Sequence, residues 1–203
     1  MTKAVWGARI RLAGVLTLIV LSSSCGDLTR QGTASSYLIV VTLEAASGAN
    51  EGVFGNTLLS DVVTVVGGRA TFFNDLGRVN FRLGMKDPGS SGAPTTPTPA
   101  NWITVDRYHV RFIRADGRNT EGVDVPYAFD SAFTVTVSGD AQGGFTLVRH
   151  TAKLEAPLAA LAGNGLIIDT IAEITFYGYD QTGREVSAVG KIGVSFANFG
   201  DPK

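Results

Sequence analysis

The chain has 203 residues, 44% of them hydrophobic and 17% charged, with a net charge of −1, which supplies one packed core and no general attraction to nucleic acid. Lys3, Arg9 and Arg11 are the only charges in residues 1–24, so the rest of the chain carries 14 basic against 18 acidic residues. A single cysteine, Cys25, excludes an intrachain disulfide framework.

Basic residues from Lys3 to Arg11, an apolar run from Leu12 to Leu21 and the small residues Ser22, Ser23 and Ser24 form the three parts of a secretory signal. The apolar run is shorter than the roughly 20 residues that a membrane-spanning helix needs, so removal of residues 1–24 is expected. The sequence Leu21-Ser22-Ser23-Ser24-Cys25 resembles the lipobox of bacterial lipoproteins. That resemblance implies cleavage before Cys25, acylation of its sulfur and of the new amino terminus, and attachment to a membrane through those acyl chains. Each buried methylene adds about 0.8 kcal/mol, so two or three chains anchor persistently. Gly26, in place of an aspartate directly after the cysteine, favours the outer membrane of a host that has one, on the same resemblance.

Residues 25–36 are small and polar and read as the lipidated cysteine with a flexible tether; residues 37–203 read as one β domain. Its predicted elements begin with Tyr37–Leu43, then Leu58–Val66, where Gly67-Gly68 turns the chain into Arg69–Asn74. Asp75-Leu76-Gly77 reads as a further turn. The next strand alternates, with Val79, Phe81, Leu83 and Met85 on one face and Arg78, Asn80, Arg82, Gly84 and Lys86 on the other. Pro88, Pro94, Pro97 and Pro99 make residues 87–100 a long loop, free to meet a partner. Alternation returns in Ile103–Arg114, setting Asp106, Tyr108, Val110 and Phe112 opposite Val105, Arg107, His109 and Arg111. Strands follow at Ala132–Ser138 and Gly144–Leu154 about a turn at Ser138–Gly143, with one short helix at Glu155–Leu161. The last two strands, Ile167–Tyr179 and Glu185–Phe196, meet through Asp180-Gln181-Thr182-Gly183.

The terminal stretch IAEITFYGYDQTGREVSAVGKIGVSF resembles the last hairpin of bacterial immunoglobulin-like and fibronectin-like domains, and the short helix before it resembles the crossover between their sheets. The resemblance implies an all-β fold: a single immunoglobulin-like antiparallel β-sandwich of about 8–9 strands with one short helix, preceded by a signal segment. It carries over architecture and no binding activity.

For catalysis and metal binding the residues offer little. His109 and His150 stand in no recognisable nucleophile or zinc motif, and the loop from Asp116 to Asp124 gathers oxygen ligands without the spacing of a calcium-binding EF-hand and reads first as a turn. No cofactor or metal is expected. The sharpest binding expectation is a basic stripe: Arg78, Arg82 and Lys86 share one strand face, and Arg107, His109 and Arg111 share another. If those strands pair, the six form one surface for an anionic glycan or headgroup; unpaired, they are a solvated outer face that discourages edge association. Tyr127, Phe129, Tyr177 and Tyr179 offer either a carbohydrate platform or cross-strand packing. These readings point to a lipid-anchored, non-enzymatic cell-envelope protein with a structural or interaction role toward an envelope protein or glycan. The alternative is a ligand-binding or carbohydrate-active exported domain.

Overall fold

Apolar side chains at every second position dictate most of residues 33–200, the part of the chain that the computed structural model describes. Twelve strands form: β1 (Ser36–Ala46), β2 (Thr57–Asp61), β3 (Thr64–Val66), β4 (Arg69–Thr71), β5 (Asp75–Met85), β6 (Gly89–Ser90), β7 (Ala93–Pro94), β8 (Ile103–Ile113), β9 (Phe129–Val137), β10 (Asp140–Val148), β11 (Ile168–Asp180) and β12 (Glu185–Ala197). They divide among four sheets. Sheet A has the order β1-β5-β10 and sheet B the order β2-β12-β11-β8-β9, while β3-β4 and β6-β7 are separate hairpins. All pairings within sheets A and B are antiparallel except β2 with β12, which is parallel. The all-β expectation therefore holds. A single antiparallel sandwich of 8–9 strands does not describe the division into four sheets with one parallel pair; the arrangement is a curled, partly closed β fold, consistent with a generic immunoglobulin-like or fibronectin-like architecture.

The sheets meet through an aromatic cluster. Phe81 of β5 and Phe145 of β10 stand edge-on to Phe176 of β11, with ring centres 5.0 and 5.5 Å away, and Tyr108 of β8 lies 5.1 Å from Phe145. Such edge-to-face pairs contribute about 0.5–1.5 kcal/mol each beyond the area they bury. The Tyr108 hydroxyl reaches the other sheet, donating to the Thr146 carbonyl at 3.1 Å and accepting from the Thr146 amide at 3.1 Å, so its burial leaves no polar atom unsatisfied. Gly77 makes room for the Phe145 ring, since a Cβ there would lie 2.3 Å from Phe145 Cζ.

Several local expectations change. Asp75-Leu76-Gly77 opens β5 and is not a turn, because Asp75 is drawn inward by buried partners described below. The run Leu58–Val66 breaks into β2 and β3. The turn at Ser138–Gly143 shrinks to Ser138-Gly139, since β10 already begins at Asp140. That strand stops at Val148, and residues 150–153 wind into a helical turn, α1 (His150–Lys153), which buries Lys153. The helix expected at Glu155–Leu161 is instead a 3-10 segment at Leu158–Gly163, anchored by buried Leu158 and Leu161. Within β8 the alternation slips: Val105 is buried and Asp106 is the extra residue in the pairing with β11, while against β9 the register also shifts at Asp106, with Phe133 and Thr134 opposite it. The β11–β12 hairpin forms as expected. Asp180 Oδ1 accepts hydrogen bonds from the Thr182 amide and hydroxyl and the Arg184 amide, and Gly183 takes φ +83°.

The register gives the domain two ends. Ser36 pairs with Met85, Ile103 with Val137 and with Asp180, so the start of β1, loop 87–101, and the β9–β10 and β11–β12 turns share one end. Asp75, the β3–β4 hairpin and α1 lie at the other, where the His150 amide donates to Asn74 Oδ1.

Candidate functional site

The basic stripe does not assemble. β5 pairs only with β1 and β10, and β8 only with β11 and β9, so Arg78, Arg82 and Lys86 belong to the outer face of sheet A and Arg107, His109 and Arg111 to that of sheet B. Cross-strand partners occupy the charges. Arg78 binds Glu44 at 2.8 Å and lies over the Phe54 ring; Arg82 binds Asp140 at 2.7 Å; Lys86 Nζ lies 5.1 Å from the centre of the Tyr37 ring. On the other sheet, Arg111 binds Glu173 at 2.6 Å, His109 Nδ1 is 3.1 Å from Asp130, and Arg107 stacks on Tyr177 at 4.1 Å. Lys191 takes the second oxygen of Glu173 at 2.9 Å. Hydrogen bonds from Lys191 and Arg111 hold the Glu173 carboxyl below the usual range, and Arg82 does the same for Asp140.

The aromatic set also divides. Phe129 is buried, 6.3 Å from Tyr108 and beneath the Arg149 guanidinium, while Tyr127 packs over Gly122 in the loop before β9. Tyr177 and Tyr179 remain together on the outer face of sheet B, and there a bulge builds a depression. At Asp106 the chain carries one residue more than β11 opposite, and Gly178 absorbs the offset. A Cβ at Gly178 would stand 2.3 Å from the Thr104 carbonyl oxygen and 2.8 Å from Val105 Cα. The bulge turns Arg107 outward onto the Tyr177 ring. Ser187 is opposite Tyr177 and Glu185 opposite Tyr179, closing a depression of about 320 Å³ with Asp106. Its chemistry is an aromatic face, a guanidinium, two carboxylates and a hydroxyl, a set that stacks on and hydrogen-bonds to a polyhydroxylated or cationic small ligand. Asp106, Glu185 and Ser187 are not singled out by sequence. The available signal was Gly178 between two tyrosines inside a strand, a position where glycine marks a bulge.

A second cluster is sealed from solvent. Asp75 accepts from Lys153 Nζ at 2.9 Å, from the Ser60 hydroxyl at 2.6 Å and from the Gly48 amide at 2.9 Å. Burial pushes the Asp75 carboxyl upward, against the pull of Lys153 and the hydrogen bonds. Ser60, Asp75 and Lys153 are all inaccessible, so the cluster clasps β2, β5 and α1 together and does not meet a ligand.

Elsewhere, the Asp116 carboxylate is held by Arg114 at 2.6 Å and Arg118 at 2.8 Å, and Asp124 accepts the Thr120 amide, contacts internal to that loop. Among the described residues no group of three or more histidine, cysteine, aspartate or glutamate side chains converges on a metal position. His150 Nδ1 lies 3.1 Å from Asn74 Oδ1. No helix among the described residues is long and apolar enough to cross a membrane.

Cys25, the signal at 1–24 and most of the tether lie outside the described residues. The last tether residues belong to the fold: Ala34 and Ser36 are buried, Ser35 accepts the Lys86 amide, and its hydroxyl accepts from Asn101 Nδ2 at 2.7 Å. Loop 87–100 is thereby stitched to the point where the chain enters the domain. No protein-family profile, curated protein or solved structure matches this chain.

Proposed function

We propose that this is a lipid-anchored cell-envelope protein: acyl chains on Cys25 hold it to a membrane, outer where the host has one, and an immunoglobulin-like β domain serves a non-catalytic structural or interaction role. The observation that carries the reading is the clamping of Ser35 and Ser36 by Lys86 and Asn101 ten residues after the lipobox cysteine. Tension on the anchor then passes into β1 and loop 87–101 together, as suits a tethered load-bearing module. Metabolic labelling with an alkyne fatty acid tests it: wild-type protein takes up label in the membrane fraction, and Cys25→Ala does not. Equal labelling of both, or of neither, contradicts it.

A second reading, small-ligand binding by an exported domain, is favoured by the depression at the Asp106 bulge. Glycan-array binding that disappears in Tyr177→Ala and survives in Val189→Ala supports it; binding unchanged in Tyr177→Ala removes it.

A further inference from the structure

The outer face of sheet A changes character across its width. Toward β10 it is a polar ladder, in which Arg82 meets Asp140, Gln142 donates to Asn80, and Asn80 donates to Thr42. Along the first half of β1 it is apolar: Tyr37, Ile39 and Val41 are 55%, 41% and 45% exposed. Ile39 leans across the sheet, its Cδ1 2.9 Å from where a Cβ on Gly84 would be. Val41 is the extra residue between Val40 and Thr42 in the pairing with β5. Edge strands are normally guarded by charge, and here three apolar side chains face outward in succession. Two cations rim them: Lys86 lies over the Tyr37 ring and Arg82 is opposite Ile39.

One aromatic ring, two aliphatic side chains and flanking long-stemmed cations are the composition that settles at the boundary between lipid headgroups and acyl chains. Position points the same way. Ala34 stands nine positions after Cys25, a reach of at most about 30 Å at full extension, so a lipid on Cys25 keeps this end of β1 beside the bilayer. The bulge at Val41 interrupts the regular ladder that strand addition by a second copy requires, which favours lipid as the occupant. Building on the acylation of Cys25, we propose that Tyr37, Ile39 and Val41 rest in the surface of the anchoring bilayer, with the stems of Lys86 and of the Asp140-paired Arg82 at the level of its headgroups. Sheet A then lies toward the membrane, and the outer face of sheet B, with the Asp106 depression, turns away from it.

The test uses the full mature protein, extracted from membranes and reconstituted into vesicles of phosphatidylethanolamine and phosphatidylglycerol. With Cys25 acylated, a single introduced cysteine accepts a nitroxide at Ile39→Cys, at Val41→Cys as a second probe, or at Val189→Cys on the outer face of sheet B, where Val189 is 52% exposed. Relative to Val189, the labels at 39 and 41 should gain oxygen collisions and lose collisions with an aqueous nickel chelate several-fold. Equal accessibility at all three positions, with intact mass showing acylated Cys25, overturns the membrane contact and leaves the anchor standing. A mass without acyl chains overturns both. Dipolar broadening between position-39 labels in detergent, without vesicles, overturns the proposal in favour of self-association.

Discussion

Lys153 Nζ lies 2.9 Å from Asp75 Oδ1 with the two side chains 1% and 0% exposed, an ion pair that crosses 78 positions of sequence and is shut off from water. Removing one partner of such a pair costs about 3–5 kcal/mol because the other charge stays buried. Lys153→Met should lose that amount at pH 8, read by urea denaturation. The sign of the pH dependence follows from burial, which already raises the Asp75 carboxyl. A carboxyl raised in the folded state favours folding below its unfolded pKa and loses that contribution as pH climbs through the folded value. Without Lys153 the rise is larger, so the variant should recover stability toward pH 4. Equal loss at both pH values contradicts this account of the clasp.

Gly178 faces the Thr104 carbonyl across the bulge with no room for a methyl group. Gly178→Ala should therefore destabilise by about 1–3 kcal/mol, the usual cost of forcing extra volume into a packed site. Gly144, with open space around its Cβ direction, serves as the control. Thermal unfolding of the two alanine variants separates them; a Gly178→Ala midpoint as high as that of Gly144→Ala contradicts the steric argument.

Glu173 sits between Lys191 and Arg111, which depress its carboxyl. A depressed acid contributes stability above its unfolded pKa and loses it as pH falls through the lower folded value. Glu173→Gln should consequently flatten the acid limb of the stability curve below about pH 4.5, the ordinary glutamate range. With both cations more than half exposed, the loss at neutral pH should stay within roughly 1 kcal/mol. Chemical denaturation between pH 3 and 7 checks both statements, and an acid limb as steep as in the wild type contradicts the first.

The sequence carried the strands well where period-two alternation was uninterrupted. Val186 to Phe196 line one face of β12, and Val79, Phe81 and Leu83 line that of β5. It failed where one residue slips the pattern: Asp106 at the bulge puts both Val105 and Tyr108 inside, so counting back by twos from Tyr108 places Val105 on the wrong face. The Asp75 clasp was invisible for a different reason, since Asp75-Leu76-Gly77 has local turn chemistry and its partners Ser60 and Lys153 are distant in the chain. The basic stripe failed on topology. Consecutive strand patterns at 78–86 and 103–114 invite pairing, yet the intervening loop carries the chain from sheet A to sheet B, and the cations end on different sheets. Of the depression on sheet B, Tyr177, Tyr179 and Arg107 were marked by residue type, whereas Asp106, Glu185 and Ser187 join them only through register.

The central claim is lipid on Cys25, and intact mass of the membrane-extracted protein tests it most directly, with Cys25→Ala as control. A mature chain that begins at Cys25 and carries the added mass of two or three acyl chains is the predicted result. An unmodified chain, or one cut elsewhere than before Cys25, contradicts the anchor and with it the placement of this β domain at a membrane surface.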